Sequence, residues 1–429
     1  MGIAILLVCA FPLSAQVKNS VPELFANFPD LHLKVVLVSD DDFEAISEAD
    51  VRQMLDTAAD MFADKFAAPK PAFEIVGSMS IEKFFAENLD RTAADFVDAD
   101  KRRYKVGEKN DFEIHKKRII HFLKRWKIKE LQGFFAEKER ASYDSYEKIY
   151  EGIALQMNSK ISEISGLKVK DKSILRPEKA DYRSYLNWRM AFMQQDKYDV
   201  VITNTFILYD DITQPFPHSI FSTCKVGGVS TKAPGLSQLG RRGIMASTFG
   251  MDTDIPFFQD PLQGKVNREQ RNKIIGAFVI AHEMGHALFK LADQYDHGDE
   301  CLMNNRKDIS YAQGYELLIK NPGPCSRCRM YLESRSLFWD AEHDFEAKKY
   351  REAIGKYTQV VKKTPKNIDG SYREYMAKIA YKISLAHHAL GEFDKALKRA
   401  KSAAKIYPWK DEYKAWVEEL NRKSSSKKQ

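Results

Sequence analysis

Apolar residues change their spacing along this chain, and each change predicts an element. Residues 31–38 read Leu-His-Leu-Lys-Val-Val-Leu-Val, a nearly continuous apolar run that predicts a buried strand. Ser39, Asp40, Asp41 and Asp42 end it. From about 48 to 66 the spacing becomes helical, so an amphipathic helix is expected. A second strand is expected at 72–76. Residues 112–135 and 143–164 read as two long helices, a helical insertion spanning about 108–165. Strand patterning returns at 198–203, with shorter strands at 226–231 and 243–248 that have glycines at their ends. A largely apolar helix surrounds residues 279–288. After about Ser334 the chain turns helical, Lys- and Ala-rich and repetitive. The expected fold class is α+β, a mixed sheet with helices followed by an all-α part.

The repetition is specific. Ala347-Lys348-Lys349-Tyr350-Arg351-Glu352-Ala353-Ile354 matches Leu390-Gly391-Glu392-Phe393-Asp394-Lys395-Ala396-Leu397. Tyr350 to Phe393 and Pro365 to Pro408 are both offsets of 43. Small and aromatic residues recur at the packing positions. This resembles tetratricopeptide repeats, whose usual period is about 34, with an insertion of about nine residues around 366–373. Two repeats are few for a solenoid, so the helix at 411–422 is expected to cap them and the set to pack on the preceding domain. The resemblance implies a protein partner on the repeats. Residues 423–429 read as a disordered tail.

Composition narrows the function classes. Hydrophobic content of 44% and aromatic content of 12% fit a globular protein with a real core. A net charge of +7 is modest for 429 residues, and no nucleic-acid motif is present. Residues 115–129 carry seven Lys and Arg around Ile119, Ile120, Leu123 and Trp126, which reads as a solvated basic face over a packed one. Residues 1–15 read as a secretory signal, with Ala15 before the cleavage point and Gln16 after it. That implies export to a periplasmic or extracellular space. No later segment has the 18 or more apolar residues of a transmembrane helix. Outside the signal stand Cys224, Cys301, Cys325 and Cys328. In an oxidising compartment they allow two disulfides, and they also suit a structural zinc.

The chemistry centres on Val279-Ile280-Ala281-His282-Glu283-Met284-Gly285-His286-Ala287-Leu288. Two histidines four apart share one helix face, and two imidazoles can then hold one Zn²⁺ at about 2.0–2.1 Å. Glu283, beside them, is placed to take a proton from a water on the metal. Such a motif arises by chance in a chain with 10 His at a probability of roughly 2%, so it is read as a site.

With these residues the chain resembles the zincin metallopeptidases. The resemblance implies zinc ligands at His282 and His286 and a general base at Glu283. In the metzincin branch the motif extends through a glycine to a third ligand. Here Phe289 stands at the glycine position and Ala292 at the ligand position, with Asp293 one residue later. Residues 291–295, Leu-Ala-Asp-Gln-Tyr, resemble the segment after HExxH in IgA-specific zinc peptidases, which favours Asp293. A continuous helix would place Asp293 roughly 10 Å along the axis from His286, so the helix must end near 288–291. His297 and Glu316 are the alternatives. Cys301-Leu302-Met303 followed by Cys325-Ser326-Arg327-Cys328 resembles the archaemetzincins. That implies a methionine turn at Met303 and a second zinc on Cys301, Cys325 and Cys328, with His297 or Cys224 completing it.

The expectation is an exported zinc peptidase acting on peptides or proteins, in a zincin-like domain at 20–334 followed by repeats at 335–422. In zincins an edge strand above the catalytic helix pairs with the substrate backbone, and 226–231 and 243–248 are the candidates. Arg241 and Arg242 between them are candidates for an acidic substrate group. The competing expectations are an interaction scaffold with an inactive zincin module and a zinc amidase acting on cell-wall crosslinks.

Overall fold

The structure is a computed structural model that describes residues 31–105, 112–124, 127–133, 135–211, 226–230, 242–249, 267–289, 291, 298–304, 311–364, 370–408 and 410–426. The signal segment, Cys224, Arg241, Ala292, Asp293 and His297 lie outside the described residues.

The first apolar run forms β1 (His32–Ser39). It runs parallel to β2 (Ala72–Ser80), reached through α1 (Glu48–Phe66). A strand, a crossover helix and a parallel strand need a chain segment of this length. Then come α2 (Ile81–Asn88), α3 (Ala94–Arg102), α4 (Phe112–Leu123), α5 (Ile128–Gln132), α6 (Tyr146–Ser165) and α7 (Tyr185–Gln194). β3 (Val200–Thr203), β4 (Val226–Ser230) and β5 (Arg242–Ser247) complete a five-stranded sheet in the order β2-β1-β3-β5-β4. All neighbours are parallel except β4, which runs antiparallel to β5 at the edge.

Both faces of this sheet are covered. Leu33, Val35, Val200, Ile202, Ile244 and Ala246 face one core, while Val36, Val38, Val201 and Met245 face the other. That explains why β1 reads as a continuous apolar run and not an alternation. On the first face lie α1 and a long helical segment made of α8 (Arg268–Ile274), a π-helical stretch (Ile275–Ile280) and α9 (Ala281–Phe289). On the second face Phe84, Phe85, Phe96 and Trp188 close the core from α2, α3 and α7.

The helix expected at 112–135 is two helices, α4 and α5. Lys124 and Lys127, and Arg125 and Lys129, would be like-charge neighbours in a continuous helix, which disfavours it. Ile119, Ile120 and Leu123 of α4 pack with Ile149, Tyr150 and Ile153 of α6, so the basic stretch covers a protein core.

After α10 (Tyr311–Lys320), the C-terminal part comprises α11 (Ser326–Glu346), α12 (Tyr350–Lys363), α13 (Gly370–Ala389), α14 (Phe393–Ile406) and α15 (Asp411–Ser426), each packed on the next. The offset of 43 is visible as geometry. Lys349 N–H bonds to Asp344 O at 2.8 Å, and Glu392 N–H bonds to His387 O at 2.9 Å. Before each lies a residue of positive φ, Lys348 at 62° and Gly391 at 73°. This is one Schellman turn made twice. The change of character at Ser334 falls inside α11, and there is no break in the core there. Phe338, Trp339, Tyr357, Tyr375 and Ile383 belong to the same buried cluster as Leu33 and Phe289. The final helix continues past Arg422 to Ser426, with Lys423 of its last turn paired to Glu419 at 2.7 Å and placed where the helix dipole favours a cation. Of the expected tail, 427–429 lie outside the described residues. Among the described residues, no helix is long and apolar enough to cross a membrane.

Candidate metal centre

His282, Glu283 and His286 all lie on α9, and their ligand atoms are within 4.8 Å of one another. The helix is held in place by close approaches that require glycine. A Cβ on Gly276 would lie 2.4 Å from Met54 O and 2.8 Å from Thr57 Cβ, so α1 presses directly on the π-helical stretch. A Cβ on Gly285 would lie 2.5 Å from Met303 Sδ and 2.9 Å from the Phe66 ring. Met303 is therefore packed under the histidine motif, fully buried, in the turn that comes after Cys301.

Backbone carbonyls fix both imidazoles. His282 Nδ1 donates to Leu302 O at 2.8 Å, and His286 Nδ1 donates to Leu291 O at 2.5 Å. A neutral imidazole that donates from Nδ1 carries a lone pair on Nε2. The two Nε2 atoms stand 2.9 Å apart. Two lone pairs at that distance repel unless a proton or a metal ion lies between them. Nitrogens on a tetrahedral zinc stand about 3.3 Å apart, so a small opening of the pair admits the ion. His286 and Glu283 are buried, and Glu283 Oε2 has no hydrogen-bond partner among the described residues. A buried carboxylate oxygen without a partner is costly unless a ligand supplies one.

The helix α9 is described as far as Phe289, and Leu291 lies outside it. The Phe289 ring stacks on Phe62 at 5.4 Å and meets Phe66 edge-on at 5.3 Å. These contacts anchor the C-terminal end of α9 on α1. Of the three candidates for a third ligand, Asp293 and His297 are outside the described residues. Glu316 is exposed and pairs with Lys320 at 3.6 Å, away from the histidines.

A second group forms where Cys301 meets the start of α11. Cys301 Sγ is 3.5 Å from Cys328 Sγ and 3.6 Å from Cys325 Sγ, and all three are thiols. Cys325 also caps α11, its Sγ accepting from Cys328 N–H at 3.4 Å. These three cysteines form no disulfide with one another, and Cys224, the fourth of the expected set, lies outside the described residues. Hydrogen bonds to Cys301 and Cys325, together with burial, push the Cys328 thiol well above its ordinary range. Three such sulfurs ionise together only around a cation, which makes the group a fit for a metal.

Sequence reading misses three parts of this centre. Leu291 and Leu302 act through carbonyls, which no side-chain pattern reveals. Arg335 lies in the buried stripe of α11 with Leu332 and Trp339, and its Nε donates to Phe289 O at 2.7 Å. A cation inside an apolar stripe is the signal that could have found it.

The chain matches no protein-family model, no curated protein and no solved structure.

Proposed function

We propose that the chain is a zinc-dependent peptidase of zincin type with C-terminal helical repeats. The observation that carries this reading is the pair of carbonyl-fixed imidazoles with converging Nε2 atoms beside a Glu283 oxygen that has no partner among the described residues. His282 and His286 hold the ion, and Asp293 is the proposed third ligand. Bound there, zinc supplies a Lewis acid that polarises a carbonyl and acidifies a water. Glu283 takes a proton from the attacking water and returns it to the leaving amine. Burial of Glu283 excludes bulk water from that transfer. β4, at the open edge of the sheet and next to α9, is the strand proposed to pair with a substrate backbone. Cys301, Cys325 and Cys328 are proposed to hold a second, structural zinc. An exported location is part of the same proposal and rests on residues 1–15.

The test is metal content and cleavage of an unfolded protein by wild type, Glu283→Ala and Asp293→Ala. Wild type and Glu283→Ala are expected to hold the same zinc, and only wild type to cleave. Loss of about 10²–10⁴-fold in rate with metal retained identifies a general base. Asp293→Ala is expected to lose one equivalent. Wild type that takes up no zinc at the histidines overturns the reading and leaves the repeats as the functional part.

A further inference from the structure

A buried arginine joins the histidine-bearing helix to the C-terminal helices. Arg335 is 4% exposed, on α11, in the first turns of the all-α part. Its Nε–H donates to the carbonyl of Phe289, the last residue of α9. A helix end leaves its last carbonyls without intrahelical donors, and a cation there is favoured by the helix dipole. The face of the guanidinium lies over the Tyr375 ring of α13, 3.3 Å from its centroid. Among the described residues, no carboxylate pairs with this arginine, and its Nη1 has no hydrogen-bond partner. Its buried charge is balanced by a helix end and an aromatic face.

The position matters because of the residues just beyond Phe289. His286 lies one turn before that carbonyl, and the carbonyl that fixes His286 Nδ1 belongs to Leu291, two residues after it. The Phe289 peptide is thus the link between a proposed metal ligand and the group that orients it. Leu291 N–H in turn reaches back to Gly285 O at 3.3 Å, closing the segment on the helix.

Building on the peptidase reading, we infer that Arg335 is a positioning residue of the metal site. It holds the end of α9 and the turn to Leu291, and Tyr375 holds it. The C-terminal helices are then part of the catalytic apparatus and not a separable docking module. Anything that shifts α13 against α11 changes the affinity of the histidine site for its metal. Partners that orient a metal ligand are commonly worth about 10–100-fold in metal affinity.

The experiment is a Co²⁺ titration of the full chain, with Arg335→Met and Arg335→Lys beside wild type, at a temperature where each is folded by circular dichroism. Cobalt on imidazole and carboxylate lacks the sulfur-to-metal charge-transfer bands of cobalt on thiolates, so the two sites are read separately. Arg335→Met is expected to weaken the histidine site about 10–100-fold and to leave the thiolate site unchanged. Arg335→Lys restores a charge and a donor without the planar face, so it is expected to fall between. Folded variants that bind within about twofold of wild type reduce Arg335 to a core residue and overturn the inference. Should neither variant fold, amide exchange on the unmodified chain decides. Coupling is reciprocal, so once the thiolate site is full, metal at the histidines must slow exchange around Tyr375. No change there overturns the inference. Wild type with no cobalt at the histidines overturns the peptidase reading instead, and this inference with it.

Discussion

Two of the places where this protein buries charged side chains satisfy them in opposite ways. Just past the end of β1, Asp40 is 1% exposed and Arg183 is 1% exposed. Arg183 Nη2 bonds to Asp40 at 3.1 Å and to Asp42 at 2.6 Å. Thr205 Oγ1 donates to Asp40 at 2.7 Å, and Arg176 Nη2 reaches Asp42 at 2.6 Å. Burial alone would raise the Asp42 carboxyl, but the hydrogen bonds from Arg176 and Arg183 outweigh it and hold it below the usual range. On α9, Glu283 is buried too, and its Oε2 has no such partner among the described residues. In the first arrangement both carboxylates have arginine partners, and the atom left over is Arg183 Nε, which has none among the described residues. In the second, a carboxylate oxygen has no partner among the described residues, and a bound ligand would supply one. Burial of charge therefore marks neither a site nor a structural network by itself, and the presence or absence of protein partners separates the two.

Breaking the paired network has the largest expected effect. Arg183→Met leaves Asp40 buried with its main counter-charge gone, and a broken buried pair costs about 3–5 kcal/mol. Urea unfolding should show that loss with the metal site still able to load. A loss under about 1 kcal/mol would mean that water or Lys179, 4.0 Å from Asp40, replaces the arginine, and the network is less closed than its geometry implies.

Asp210 sharpens the comparison, because it lies between the two cases. Its Oδ1 accepts from Leu186 N–H at 3.1 Å, yet burial still pushes its carboxyl from 3.8 up to about 7. For an acid raised in this way, folding favours the protonated form. The contribution to stability is complete below about 3.8 and is lost as pH rises through about 7. Asp210→Asn keeps the acceptor and removes the titration. Its stability relative to wild type should therefore improve between about pH 4 and about pH 8 by up to about 4 kcal/mol, at about 1.36 kcal/mol per unit. A difference that does not vary with pH would show that Asp210 is paired as Asp40 is.

Much of the architecture comes from local pattern. The apolar run at 31–38 and the helical period at 48–66 form β1 and α1 because burial alone dictates them. The 43-residue offset emerges as the same turn at Lys348 and Gly391 because turn chemistry is local. His282, Glu283 and His286 are legible for a similar reason, since four residues of helix bring them together. The illegible part depends on partners far along the chain. Asp40 meets Arg183 across 143 positions, and Phe289 meets Arg335 across 46. The split between α4 and α5 is hidden because an apolar period survives through a run of like charges that a continuous helix would not tolerate. A boundary at Ser334 reflects composition, whereas the core ignores composition and runs on through α11.

The smallest effect tests the other half of the comparison, and it has the opposite sign. Glu283→Gln replaces a buried carboxylate, whose Oε2 lacks a partner among the described residues, by a neutral amide of the same shape. In metal-free protein this should stabilise the fold by about 1 kcal/mol, because an unmet buried polar group costs about 1–3 kcal/mol and an amide is less costly to bury than a charge. In metal-loaded protein the gain should shrink, since the site then meets the carboxylate's need. Thermal melts with and without chelator measure both. Substitutions in a paired network destabilise whether or not metal is present. Should Glu283→Gln do the same, Glu283 would have a protein partner as Asp40 has, and the distinction between a paired network and a site waiting for its ligand would fail at the residue it was drawn from.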